Sequence, residues 1–97
     1  MRIIARRTLR EFWEKHPDVE EPLKVWYDEV VKAKWTSFND LKADYPSASI
    51  IGNERVVFNI KGNHYRLIVL ILIKKEKMFI RFIGTHSEYG MIDAKNI

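Results

Sequence analysis

The 97-residue chain contains no cysteine, so neither a disulfide framework nor a zinc–thiolate centre is available to it. Long hydrophobic runs are missing as well. The longest, Leu67 to Ile73, falls far short of the about 20 apolar residues a membrane-spanning helix needs. The opening MRIIARRTLR has only a brief apolar patch broken by arginines, too short for a signal-peptide core. A soluble, cytoplasmic protein is the expectation. Its four glycines form no Gly-x-Gly-x-x-Gly, P-loop or Gly-x-Ser-x-Gly pattern, which removes the common nucleotide-binding and serine-hydrolase signatures. The three histidines, His16, His64 and His86, lack ligand spacing with acids. Neither a metal site nor a cofactor is expected.

What is present points to one small domain spanning residues 1–97, with no repeat, low-complexity tract or linker. The net charge of +4 is modest, but its distribution is uneven. Residues 11–44 carry nine acidic and five basic groups, whereas residues 55–86 carry seven basic groups and one acid. An acidic helical half and a basic strand half fit a polyanion-binding face on the strands. The plainer reading of Lys74, Lys75 and Lys77 is that they solubilise a hairpin turn.

Element by element, Arg2–Ala5 reads as a first strand. Thr8 and Glu11 have capping-box spacing, and Leu9, Phe12 and Trp13 give the following helix an apolar face that ends before Pro17. A second helix starts in the acidic stretch Asp18–Glu21 and buries Leu23, Trp26, Tyr27, Val30 and Val31. Trp35 is expected to pack beneath the next turn, and Ser37 to cap a short helix over Phe38–Asp44. A brief extended piece precedes the Gly52-Asn53 turn. Arg55–Ile60, His64–Ile73 and Met78–Ile83 are the main strands. Gly62 and Asn63 are suited to the positive φ of the first turn between them. The unbroken apolar run of the middle strand places it at the centre of the sheet. The order is β-α-α-(α)-β-β-β, an α+β domain with helices on one face of a mostly antiparallel sheet. The other face is the expected RNA-binding side.

Strand alternation sets Arg66 on one face with His64 and Ile68, and Arg81 with Phe79 and Ile83, if both strands are regular. Charges inside apolar strands need solvent, a carboxylate or a ligand. Two arginines on adjacent strands suit a phosphate, because guanidinium is a forked donor with a permanent charge. The alternatives are an edge arginine in solvent or an internal ion pair, for example with Glu88. His86 and Tyr89 follow closely. Histidine moves protons near neutral pH, and with the arginines these two residues supply what metal-free RNA cleavage needs. Equally, His86 suits a helix cap and Tyr89 a packing role.

A longer series of matches carries a family likeness. Thr8-Leu9-Arg10-Glu11-Phe12, Lys15-His16-Pro17, Leu41-Lys42-Ala43-Asp44-Tyr45-Pro46-Ser47-Ala48, Val57-Phe58-Asn59-Ile60, Gly62-Asn63, Tyr65-Arg66-Leu67, Ile80-Arg81-Phe82 and Gly84-Thr85-His86-Ser87-Glu88-Tyr89 occur in order. In this the chain resembles the HigB-type toxins, RelE-like mRNA interferases of type II toxin–antitoxin systems. The resemblance implies a RelE-like fold and cutting of mRNA in the ribosomal A site, which inhibits translation. It also implies inhibition by a HigA-like helix-turn-helix antitoxin, through which the complex reaches operator DNA. The implied catalytic positions are Arg66, Arg81, His86 and Tyr89. Lys61, Asn63 and His64 at the mouth of the sheet, together with Arg55, Lys74, Lys75 and Lys77, are the implied RNA contacts. The competing reading is a non-catalytic RNA- or protein-binding module of the same fold.

Overall fold

The computed structural model describes residues 1–97. Five strands form one sheet in the order β1-β5-β4-β3-β2. They are β1 (Arg2–Ile4), β2 (Ser49–Gly52), β3 (Arg55–Ile60), β4 (Tyr65–Leu72) and β5 (Lys77–Thr85). Strand β1 runs parallel to β5, and all other pairings are antiparallel. Helices α1 (Arg6–Lys15), α2 (Glu20–Val31) and α3 (Phe38–Asp44) precede the meander, and a single turn, α4 (His86–Tyr89), follows it. The α+β architecture, the helical layer and the central position of β4 are as read from the sequence.

The helical layer forms because each helix presents one apolar stripe to the same sheet face. Leu9 and Trp13 of α1, Leu23, Trp26 and Val30 of α2, and Leu41 of α3 are buried. They join Val56, Phe58 and Ile60 of β3, Leu67, Val69 and Ile71 of β4, and Met78 of β5 in one core. Trp35 is also buried there, and its indole N–H donates to Asp44 Oδ2 at 2.9 Å. Ser37 caps α3 by accepting from the Asp40 amide, at the predicted bounds.

Local details differ from the sequence reading. Helix α1 starts at Arg6 with Ala5 as its unassisted N-cap. The chain turns from β1 into the helix at once, so Thr8 lies inside the first turn and makes no capping box. Glu11 pairs with Arg7 at 2.9 Å instead. Val31 is 41 % exposed at the end of α2, outside the buried stripe. In the β3–β4 turn the positive φ values fall on Lys61 and Gly62 rather than on Gly62 and Asn63.

Two differences bear on the site. Strand β5 is irregular opposite Ile68 and Val69, where Ile68 pairs with Phe82 and Val69 with Ile80, leaving Arg81 as an inserted residue. A bulge of this kind resets the alternation. Phe79 pairs with Leu70, whereas Ile83 pairs with Leu67 and packs against the helix-side core. Phe79 and Ile83 therefore lie on opposite faces, and the regular face expected for Arg81 does not exist. Nor is the second sheet face bare. Val57 and Ile68 point to it and are buried, yet stand apart from the helix-side core. Residues 90–97 return across this face and bond to β3 and β5 through Arg55 and Arg81. No helix is long and apolar enough to cross a membrane.

Candidate active site

The end of the β4–β5 hairpin gathers the polar groups. Register sets Tyr65 against Thr85 and Arg66 against Gly84, so the first residues of β4 meet the start of α4. The His86 amide donates to the His64 carbonyl at 3.2 Å, fixing the two histidines side by side along the main chain. Arg66 Nη1 donates to the carbonyls of Asn63 at 3.1 Å and Tyr65 at 3.3 Å. Its guanidinium carbon lies 6.0 Å from the centre of the Tyr89 ring, within cation–π range. Asn63, His64, Arg66, His86 and Tyr89 thus form one open cluster. His64 and His86 are exposed, and Arg66 and Tyr89 are half-buried.

Turn α4 is locked by its own sequence. Thr85 Oγ1 accepts from the Glu88 amide at 3.2 Å, and the Thr85 amide donates to Glu88 Oε1 at 2.8 Å. Glu88 is therefore engaged in a capping box, and not in an ion pair with an arginine. The Thr85 amide, and then its hydroxyl, hold the Glu88 carboxyl below its ordinary range. Gly84 is required beneath this turn. A Cβ there would lie 2.4 Å from Phe82 Cζ and 3.1 Å from Glu88 Oε1, so the Phe82 ring rests directly on the glycine beside Arg66.

A buttress stands behind the cluster, on the helix side. Asp18 accepts from the Tyr65 hydroxyl at 2.8 Å and from Lys61 Nζ at 2.9 Å. Both donors flank the turn that carries Asn63 and His64. The Lys61 hydrogen bond is the largest cause of a lowered Asp18 pKa, followed by that of Tyr65. The Tyr65 hydroxyl is pushed up by the same carboxylate. His16 stacks on Phe12 at 4.3 Å and meets the Tyr65 ring edge-on at 5.7 Å. Asp18, Tyr65, Phe82 and Gly84 were not singled out as site residues from the sequence. The acidic run around Asp18 looks like ordinary helix-start chemistry, and nothing local to it indicates a partner 43 residues away.

The other candidates fall elsewhere. Lys61 borders the cluster, with its ammonium turned to Asp18. Arg81 and Arg55 both donate to the Ile97 main-chain oxygen, so the expected Arg66–Arg81 pair resolves into Arg66 with Tyr89 and Arg81 with Arg55. Lys74 and Lys75 sit in a 3-10 turn at the opposite end of β4, and Lys77 pairs there with Leu72 and Arg2. Seven strand steps, roughly 23 Å, separate that end from Tyr65.

A small helix-backed sheet with arginine, histidine and tyrosine at one open corner defines a RelE-like toxin fold. The chain belongs to the HigB toxin family, described as the RelE-like toxic component of a toxin–antitoxin system, whose model matches residues 19–92. Its partner in such a system is an antitoxin. The chain is 28 % identical over 96 residues to the mRNA interferase toxin HigB of Escherichia coli K12, covering 97 % of this chain and 92 % of that protein. Identity and coverage are the same for the mRNA interferase HigB of Escherichia coli O157:H7 and that of Shigella flexneri.

Proposed function

We propose that this toxin is an endoribonuclease that cleaves mRNA on the ribosome and so inhibits translation. The observation that carries the reading is the convergence of Arg66, His64, His86 and Tyr89 in a chain of the HigB toxin family. Residues 1–97 act as one toxin domain in the cytoplasm. A HigA-like helix-turn-helix antitoxin restrains it and links the complex to operator DNA.

The chain's own groups supply the chemistry. A histidine base takes the proton of a 2′-hydroxyl, and the 2′-oxygen attacks the adjacent phosphorus. The Arg66 guanidinium stabilises the charge that builds on the phosphorane oxygens. A second group, acting as an acid, delivers a proton to the departing 5′-oxygen, leaving a 2′,3′-cyclic phosphate. We assign the principal acid–base role to His86, with His64 beside it as the complementary group. Tyr89 orients the guanidinium through its ring. Asn63 and Lys61 contact the RNA at the mouth of the site, while Lys74, Lys75 and Lys77 provide a remote basic surface.

Primer extension on a translated message tests the assignment. His86→Ala and Arg66→Ala are expected to remain folded and to lose cleavage and growth arrest together. Folded variants that still cut the message would overturn the site. A wild-type protein that binds ribosomes yet leaves every message intact would point to a binding module of the same fold.

A further inference from the structure

The second sheet face holds a feature that the cleavage site does not use. Arg55 on β3 and Arg81 at the β5 bulge flank β4 from opposite sides. Their guanidinium groups converge on one oxygen, the Ile97 main-chain oxygen. Arg55 donates from Nη2 at 2.8 Å and from Nε at 3.3 Å, and Arg81 donates from Nε at 3.3 Å. Neither arginine has an aspartate or glutamate side chain as its partner. The three ion pairs of the chain join Arg7 to Glu11, Lys24 to Glu20 and Lys61 to Asp18. Two permanent cations thus share one main-chain oxygen of the last residue. A phosphate in the same place offers several anionic oxygens and accepts from both forks at once.

Apart from these two arginines, the segment that provides this oxygen has few polar ties to the sheet. The Asn53 side chain donates to the Lys95 carbonyl at 3.3 Å, and Asn96 bonds to Asp93 within the segment at 2.9 Å. The segment runs on directly from α4, with the Ile92 amide bonded to the Tyr89 carbonyl at 3.0 Å. Arg81 is exposed, but an RNA phosphate takes the position between Arg55 and Arg81 only after this segment lifts.

We propose that Arg55 and Arg81 form a second phosphodiester-binding subsite, separate from the cleavage site, and that residues 93–97 are a displaceable strap whose Ile97 main-chain oxygen occupies it in the free toxin. The inference rests on the ribonuclease reading, since it takes RNA as the ligand. While the strap is down, the subsite-competent population is reduced and apparent RNA affinity falls in proportion. The same residues also lie across the sheet face that carries Val57 and Ile68, and the two roles separate by experiment.

Wild-type toxin is titrated at low salt with a short single-stranded RNA carrying 2′-O-methyl groups throughout, which cannot be cut. Proton–nitrogen NMR follows the Nε–H signals of Arg55, Arg66 and Arg81 and the amides of residues 94–97. The Arg55 and Arg81 signals are expected to shift together, while the four amides move towards unstructured positions. A second protein, Asn53→Gly with Asn96→Ala, removes two strap contacts without altering charge. It is expected to bind the same RNA roughly threefold to tenfold more tightly. Unmoved Arg55 and Arg81 signals overturn the subsite, even if Arg66 responds. Unchanged affinity in the double variant overturns the strap. Cleavage of a translated message by the wild-type preparation reports separately on the ribonuclease reading, so the two failures are distinguishable.

Discussion

At the scale of single residues, the candidate site places most of its chemistry where folding does not depend on it. The His86 side chain is exposed, and its amide, not its ring, bonds to His64. His86→Ala is therefore expected to leave the melting temperature within about 2 °C of wild type, while message cleavage falls on the order of a hundredfold or more. Circular dichroism and primer extension check the two halves of that statement. Gly84 is the opposite case, a backbone position over which the Phe82 ring lies. A methyl group there meets the end of the Phe82 ring at 2.4 Å and a Glu88 oxygen at 3.1 Å. The ring can swing aside, so Gly84→Ala is expected to cost about 1 to 2 kcal/mol. Phe82→Leu in the same chain should recover part of the loss, because a shorter side chain no longer lies over the glycine. A double-mutant cycle from urea melts measures that coupling.

At the scale of elements, the site depends on a turn held from behind. Asp18, in the 3-10 turn Pro17–Val19 between α1 and α2, accepts from both residues that flank the exposed part of the β3–β4 turn. Its pKa is lowered in the fold, chiefly by Lys61 and then by Tyr65. The unfolded chain therefore binds this proton more readily than the folded one. The Asp18 contribution to stability is present above the ordinary aspartate pKa and is lost as pH falls below about 4. Asp18→Asn should melt below wild type at pH 7, with the gap closing towards pH 3. A gap that stays constant across that range would show the carboxylate charge to be irrelevant. Much at this scale is legible in the sequence. The β3–β4–β5 meander, the amphipathic stripes of α1 and α2 and the Ser37 cap all rest on periodicity or local chemistry, which a sequence states directly. The bulge at Arg81 is not legible, because an inserted residue leaves the apolar pattern Phe79-Ile80-Arg81-Phe82-Ile83 almost unchanged while reversing the faces after it. Asp18 with Tyr65 and residues 90–97 across the sheet escape for another reason: they are long-range contacts between polar groups that carry no period.

At the scale of the whole molecule, charge is distributed along the sheet as well as between sheet and helices. The proposed cleavage corner holds Arg66, His64 and His86, whereas Lys74, Lys75 and Lys77 lie at the other end of β4 and β5. Roughly 23 Å of strand is more than two Debye lengths at physiological salt, where one is about 8 Å. The distant lysines thus have almost no influence on the charge that builds on the phosphorane. Their effect on RNA is confined to attraction and residence. Each lysine that neutralises a phosphate contributes about 0.7 to the slope of log affinity against log salt for a single strand. Replacing all three with glutamine should then flatten that slope by about 2, if each meets a phosphate, and weaken binding to the same extent for every sequence. The rate of cleavage at saturating ribosome-bound message should be unchanged. Arg66→Gln should do the reverse, flattening the slope by less than 1 while cutting the saturated rate by about a hundredfold or more. Anisotropy titrations across salt and single-turnover cleavage of stalled complexes measure both quantities. If the lysine variant lost saturated rate as severely as Arg66→Gln, the two ends of the sheet would have to act on one stretch of RNA as a unit. The separation between a chemical corner and a purely electrostatic end would then be wrong.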